Sequence, residues 1–153
     1  MKLQKLYEFV IGEGIKADPR SQAQIKEILA EEKKKYDTLD KKEKKYFDRD
    51  RLMNPFADSR ILYGDPQTPV KNVIVGIDME VGEMVLVDRL RERGTKIDLV
   101  IGHHPDGHAL AHFYDVMKLQ PAIFNKHGVP ISIAENLTKE RMSEVGRSVS
   151  AAN

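Results

Sequence analysis

Two short apolar runs, separated by a segment of helical period, are the feature that most constrains the fold of this chain. The first run covers residues 73–77 (Val-Ile-Val-Gly-Ile), and the second lies within residues 97–102. Between them, residues 81–92 space apolar side chains as a helix does, and Gly94 follows as a stop signal. A strand, a helix and a strand within about thirty residues predict a βαβ unit, whose strands are parallel.

We therefore predict an α/β fold with a parallel or mixed sheet built on this unit, flanking helices and a helical N-terminal region. Both strands are apolar throughout, which indicates that helices cover both faces of the sheet. Residues 109–119 and 121–127 are predicted helices, and Gly128 ends the second. From Pro130 onward the pattern fits either a strand or a helix, and the helix fits better.

The two strands predict where a functional site lies. Parallel strands of a βαβ unit end at the same edge of the sheet, where ligands bind in open α/β folds. The first strand ends at Asp78 and the second at His103 and His104, where Pro105 prevents continuation. Because imidazole is the commonest metal-ligating side chain, the sequence predicts a metal site formed by His103, His104 and Asp78.

The chemistry of this site leaves alternatives open. Adjacent residues of an extended strand point to opposite faces, so His103 and His104 bind one ion only if the backbone turns; otherwise each serves one ion of a pair. Mixed nitrogen and oxygen ligands suit zinc, manganese, iron, nickel or cobalt. The histidines are alternatively hydrogen-bonded structural residues, and Asp78 is alternatively the cap of the helix that starts near Glu80.

Other polar residues near this edge are weaker candidates. His108 and His112 share a helix face if residues 107–119 are helical, but the catalytic glutamate of the zincin motif is absent between them. His127 is expected to satisfy carbonyl groups at a helix end. Glu135 reaches the site only if its segment returns to the same edge of the sheet.

Composition bounds the remaining possibilities. The chain has 153 residues, 25 Lys and Arg against 24 Asp and Glu, and no cysteine. This length fits a single α/β domain over residues 1–153, and the balanced charge gives no argument for nucleic acid. Disulfides and cysteine nucleophiles are excluded, and no run is long enough for a membrane span, so we expect a cytoplasmic protein. Residues 138–153 read as a helix without a stop signal, from which we expect the N-terminal part of a longer two-domain protein.

The N-terminal segment, residues 1–52, is predicted to be helical and charged. Within it, lysine runs at 33–35 and 41–45 are nearly balanced by acidic residues. We expect a solvated helical hairpin that turns near residues 37–40, with a phosphate-binding surface as the alternative.

Residues 75–78 and 98–105 resemble the NGG-interacting-factor-three-like family, some of whose members are named GTP cyclohydrolase type two. The resemblance covers residues 72–106 and rests on a helix-linked pair of strands that ends in His-His-Pro. It implies that His103 and His104 ligate a dinuclear metal centre. It also implies toroidal hexamers of two-domain subunits, and further ligands in later segments that this sequence does not contain.

Together these observations favour a metal-dependent, hydrolase-like enzyme. Its divalent centre activates water against a small-molecule substrate such as a nucleotide or a phosphate ester. The alternative is a non-catalytic metal-binding scaffold or regulator that acts through contacts within a homo-oligomer.

Overall fold

The structure, a computed structural model, describes residues 1–117 and 119–152, the last four of these by backbone alone. Two long helices come first, then two single-turn 3-10 helices, a strand–helix–strand unit and four further helices. The elements are α1 (Leu3–Ala17), α2 (Gln22–Thr38), the 3-10 helices Glu43–Lys45 and Arg49–Leu52, β1 (Val73–Gly76), α3 (Val81–Glu92), β2 (Leu99–Gly102), α4 (Gly107–Ala111), α5 (Phe113–Val116), α6 (Leu119–Lys126) and α7 (Ile131–Ala152).

The N-terminus is held by the segment that leads into β1. The first amides of a helix have no partner within the helix; here Leu3 N donates to Thr68 O at 2.9 Å, and Gln4 N donates to Pro66 O at 2.8 Å. One side of α1 is buried, with Leu3, Tyr7 and Ile11 at the four-residue spacing of a helix face. The start of α1 is therefore tied to the entrance of the sheet.

Helix α2 begins with a capping box and ends where the predicted hairpin turns. Ser21 Oγ accepts from Gln24 N, and Gln24 Oε1 accepts from Ser21 N. The second arm of the hairpin is not an α-helix, and that part of the prediction is wrong. Asp40 Oδ1 accepts hydrogen bonds from the amides of Lys42 and Glu43, and such local bonds compete with a continuous helix.

Strands β1 and β2 pair in parallel, in a register that runs from Val73 opposite Leu99 to Gly76 opposite Gly102. The predicted strand–helix–strand unit is present, and the molecule mixes helix and strand. Within the described residues the sheet has two strands. The expected cover on both faces is not observed there, because Val75 is 66% exposed.

The helices after the sheet pack on one another around α7, with α6, α5 and α4 against it. The helix predicted from residue 131 is confirmed, and Gly128, with φ of 92°, ends α6 as expected. The single helix predicted over 109–119 is interrupted at His112, which separates α4 from α5. In the described part of the chain, no helix is both long and apolar enough to cross a membrane.

Candidate metal site

The backbone of the histidine pair is fixed by the sheet itself. The parallel ladder continues past the ends of both strands: His103 N donates to Gly76 O, and His104 N donates to Ile77 O, each at 2.9 Å. The two imidazoles therefore stand at the carboxyl edge of the sheet, the edge where open α/β folds bind ligands.

A bend at His103 and His104 brings the two rings to the same side of the chain. Their centroids lie 5.2 Å apart, and the ring planes are inclined by 36°. Successive side chains of an extended strand point in opposite directions, so this proximity depends on the bend. The backbone thus turns at the histidine pair, as a shared ion would require.

Asp78 contacts His104 directly. Its Oδ1 lies 2.6 Å from His104 Nδ1. Because a carboxylate oxygen only accepts hydrogen bonds, Nδ1 is the donor in this contact. The alternative role of Asp78 as a helix cap is wrong, since Glu80 caps α3 in a reciprocal capping box with Glu83.

Two glycines allow the Asp78 loop to lie this close to the histidines. Gly76 and Gly102 are register partners at the strand ends, and the Met79 side chain lies over both. A Cβ at Gly76 would meet Met79 Sδ at 2.5 Å, and one at Gly102 would meet His104 O at 3.2 Å. We did not predict the role of Met79, although a glycine at the end of each apolar run is a visible signal of close approach.

Imidazole and carboxylate are donor types that divalent metals use. Side-chain exposures of 58% for His104 and 60% for Asp78 leave both accessible to a ligand. Among the described residues, no group of three or more His, Asp or Glu side chains is placed to hold one ion. The arrangement is a pair of imidazoles, one of them hydrogen-bonded to a carboxylate.

The weaker candidates do not join this cluster. Helix α4 ends at Ala111, so the condition under which His108 and His112 would share a helix face is not met. His127 N bonds to carbonyl groups at the end of α6, while its side chain is exposed. Glu135 instead lines an open groove of about 1380 Å³ along α7, whose lining includes none of the predicted site residues.

A buried polar cluster lies in the N-terminal region, which we did not predict. Tyr7 Oη accepts from Asn54 Nδ2 at 2.8 Å and lies 3.0 Å from Asp50 Oδ2. Arg60, whose side chain is 2% exposed, pairs with Asp48. Burial raises the pKa of Tyr7 to about 12, although the bond from Asn54 opposes this shift. Every buried side-chain nitrogen and oxygen among the described residues has a partner, as expected of a structural cluster.

Several acidic residues of the lysine-rich segment are bound within the fold. Glu32 accepts from Lys35 and Arg51, and Asp37 pairs with Lys33. Burial raises the pKa of Glu32, but its bonds to Lys35 and Arg51 outweigh burial and lower it. The Glu32–Arg51 pair connects α2 to the second 3-10 helix, while the phosphate-binding alternative stays a prediction.

Comparison of the chain with protein-family models, with curated proteins and with solved structures gives no match.

Proposed function

We propose that this chain binds a divalent metal ion through His103 and His104 and acts as a metal-dependent, hydrolase-like enzyme. The observation that carries the proposal is the bend that places two imidazoles 5.2 Å apart at the carboxyl edge of a parallel sheet. Ladder hydrogen bonds fix the backbone of the two adjacent histidines, and the Asp78 contact holds the His104 ring.

The chemistry follows from the donor type. Imidazole nitrogens suit zinc, manganese, iron, nickel or cobalt. Such an ion, when bound, lowers the pKa of a coordinated water and polarises a phosphoryl oxygen. In this chain His103 and His104 supply two donors, and their exposure leaves room for water and substrate. A nucleotide or phosphate ester is the proposed substrate, and a second ion is proposed from the family resemblance.

Metal content is the direct test. Elemental mass spectrometry of tag-free protein, after incubation with each metal and desalting, is expected to find one or two ions per chain. The double variant His103→Ala/His104→Ala is expected to lose them, whereas His127→Ala, which removes another exposed imidazole, retains them. Equal metal in all three proteins, or none in the wild type, would refute the proposal. Phosphate-ester hydrolysis that is lost in the double variant alone would support the catalytic part of the proposal.

The alternative proposal is a metal-binding scaffold that acts through contacts between copies of this chain. It is supported by the apolar surface of the βαβ unit, where Val75, Ile77 and Val81 are 63–80% exposed. Parallel sheets are normally covered on both faces, and we propose a second copy of the chain as the cover.

Sedimentation velocity tests this alternative. The wild type is expected to associate with increasing concentration, and Val75→Lys is expected to weaken association. Leu137→Lys, at a position on α7 with the same 66% exposure, serves as the matched control. A wild type that stays monomeric throughout would exclude the scaffold proposal, and metal binding without turnover on any phosphate ester would favour it over the enzyme.

A further inference from the structure

We infer that Asp78 is a positioning residue that acts through His104 and is not itself a metal ligand. In this role the carboxylate holds the proton of His104 on Nδ1 and leaves Nε2 as the atom that donates to the ion. The inference rests on the proposed metal site and assigns a donor atom and a supporting residue within it.

A short hydrogen bond joins Asp78 to His104. Asp78 Oδ1 and His104 Nδ1 are 2.6 Å apart, and a hydrogen bond to an ionised acceptor is stronger than one between neutral groups. A neutral imidazole carries one proton. When Asp78 fixes that proton on Nδ1, the lone pair of Nε2 is the one available to a metal. Binding through Nδ1 would require Asp78 to leave.

The fold holds Asp78 in this place. The residue before it, Ile77, accepts the backbone bond from His104 N at 2.9 Å. The residue after it, Met79, lies over Gly76 and Gly102. Asp78 is thus anchored on both sides.

Capping of helix α3 does not require Asp78. Glu80 fulfils that role for α3, and in the described residues the Asp78 carboxylate makes no other hydrogen bond. The contact with His104 therefore accounts for the placement of the Asp78 carboxylate.

The number of converging donors also favours a supporting role for Asp78. Asp78 contacts His104 and His104 lies beside His103, yet no three such groups converge on one point in the described part of the chain. A carboxylate behind a ligating histidine explains this arrangement, because metal-bound histidines almost always donate their other ring N–H to such a partner. Removing a partner of this kind costs about 10–100-fold in metal affinity.

Nitrogen NMR of the metal-free protein tests the inference. With ¹⁵N-labelled histidine at pH 8, long-range ¹H–¹⁵N spectra distinguish a protonated Nδ1 from a protonated Nε2. We expect His104 to carry its proton on Nδ1 in the wild type and to lose this preference in Asp78→Ala. Asp78→Asn, which keeps an acceptor oxygen, is expected to restore it, and Asp88→Ala on α3 is the control for an exposed aspartate.

Zinc titration against a chelator completes the test. Asp78→Ala is expected to bind the same number of ions as the wild type with 10–100-fold weaker affinity, and the ¹⁵N shift of His104 Nε2 is expected to move on zinc binding. A wild-type His104 protonated on Nε2, a proton position unchanged in Asp78→Ala, or a reduced number of ions in that variant would overturn the inference. Failure of the wild type to bind zinc, manganese, iron, nickel or cobalt would instead refute the proposed function, a result that the metal-free spectra distinguish from failure of the inference.

Discussion

The sulfur of Met79 lies so close to Gly76 that a Cβ at that position would approach it to 2.5 Å. A Cβ at Gly102 would lie at ordinary contact distance from the same side chain, 3.5 Å from Met79 Cγ. Met79 therefore packs across the ends of both strands, directly after Asp78. A side chain at Gly76 would therefore displace Met79, the residue that follows Asp78.

Gly76→Ala is accordingly expected to lower the free energy of unfolding by about 1–3 kcal/mol, the usual cost of overpacking. The same substitution in a Met79→Ala background is expected to cost less, because the opposing side chain has been removed. Urea unfolding of the four proteins in this cycle gives the coupling, which for residues in contact is about 0.5 kcal/mol or more. Equal costs in both backgrounds would show that Met79 is not what excludes a side chain at Gly76.

Two glycines of α1 are expected to respond to alanine with opposite signs. A Cβ at Gly12 would meet nothing within 4 Å, whereas one at Gly14 would lie 2.9 Å from Cε2 of Phe56. Gly12→Ala should therefore stabilise the protein by about 0.5–1 kcal/mol, the helix-propensity difference. Gly14→Ala gains the same helix propensity but forces the Phe56 ring to move, so a net loss of stability is expected. Thermal unfolding of both variants provides the comparison, and stabilisation by both would mean that Phe56 yields at no cost.

The strand–helix–strand unit is predictable from the sequence because its information is local. Apolar runs and helical spacing identify β1, α3 and β2 without knowledge of the rest of the chain. Parallel pairing then places Asp78 and the histidines at one edge. The 3-10 helices were missed for a related reason: side-chain bonds to the backbone, such as those of Asp40, decide between a turn and a helix.

The buried polar cluster was not predictable because its members are distant in sequence. Tyr7 and Asn54 are separated by 47 residues and have no common pattern. Asn54 before Pro55 signals a loop, but nothing local indicates that the loop folds over α1. The exposure of the apolar face of β1 was also not predicted. An apolar strand predicts that other elements cover it, and the described part of the chain does not supply that cover.

Asp18 should make the stability of the wild type fall with pH in the acid range, and Asp18→Asn should reduce this dependence. Burial raises the pKa of Asp18, but its hydrogen bonds to the Arg20 side chain and backbone outweigh burial and lower that pKa below its usual value. A lowered folded-state pKa contributes stability above the unfolded-state pKa of about 3.9, and this contribution is lost as the pH falls through the folded value. Asp18→Asn is expected to be less stable at pH 7, and its stability should depend less on pH below about 4.

Urea unfolding at several pH values between 2 and 7 measures this difference. Asp88→Asn, an exposed aspartate on α3, is the matched control and should follow the wild type. Parallel curves for the wild type and Asp18→Asn would contradict the prediction.

Alkaline stability should depend on Tyr7. Burial first, and the nearby Asp50 carboxylate, raise the pKa of Tyr7 from 10.0 to about 12. A raised folded-state pKa contributes stability that is complete below the unfolded value and is lost as the pH rises through the folded one. The wild type is therefore expected to lose stability between about pH 10 and pH 12, and Tyr7→Phe should lack this component.

Tyr7→Phe should also be less stable at pH 7, by about 1–3 kcal/mol, because the buried Asn54 amide loses an acceptor. Absorbance at 295 nm against pH separates the phenols: one of the five tyrosines should ionise last, together with unfolding, and that step should vanish in Tyr7→Phe. Tyr63→Phe removes a 96% exposed phenol and should delete an early step instead. Simultaneous ionisation of all five phenols in the folded protein would mean that the Tyr7 hydroxyl is open to solvent and that the cluster does not close around it.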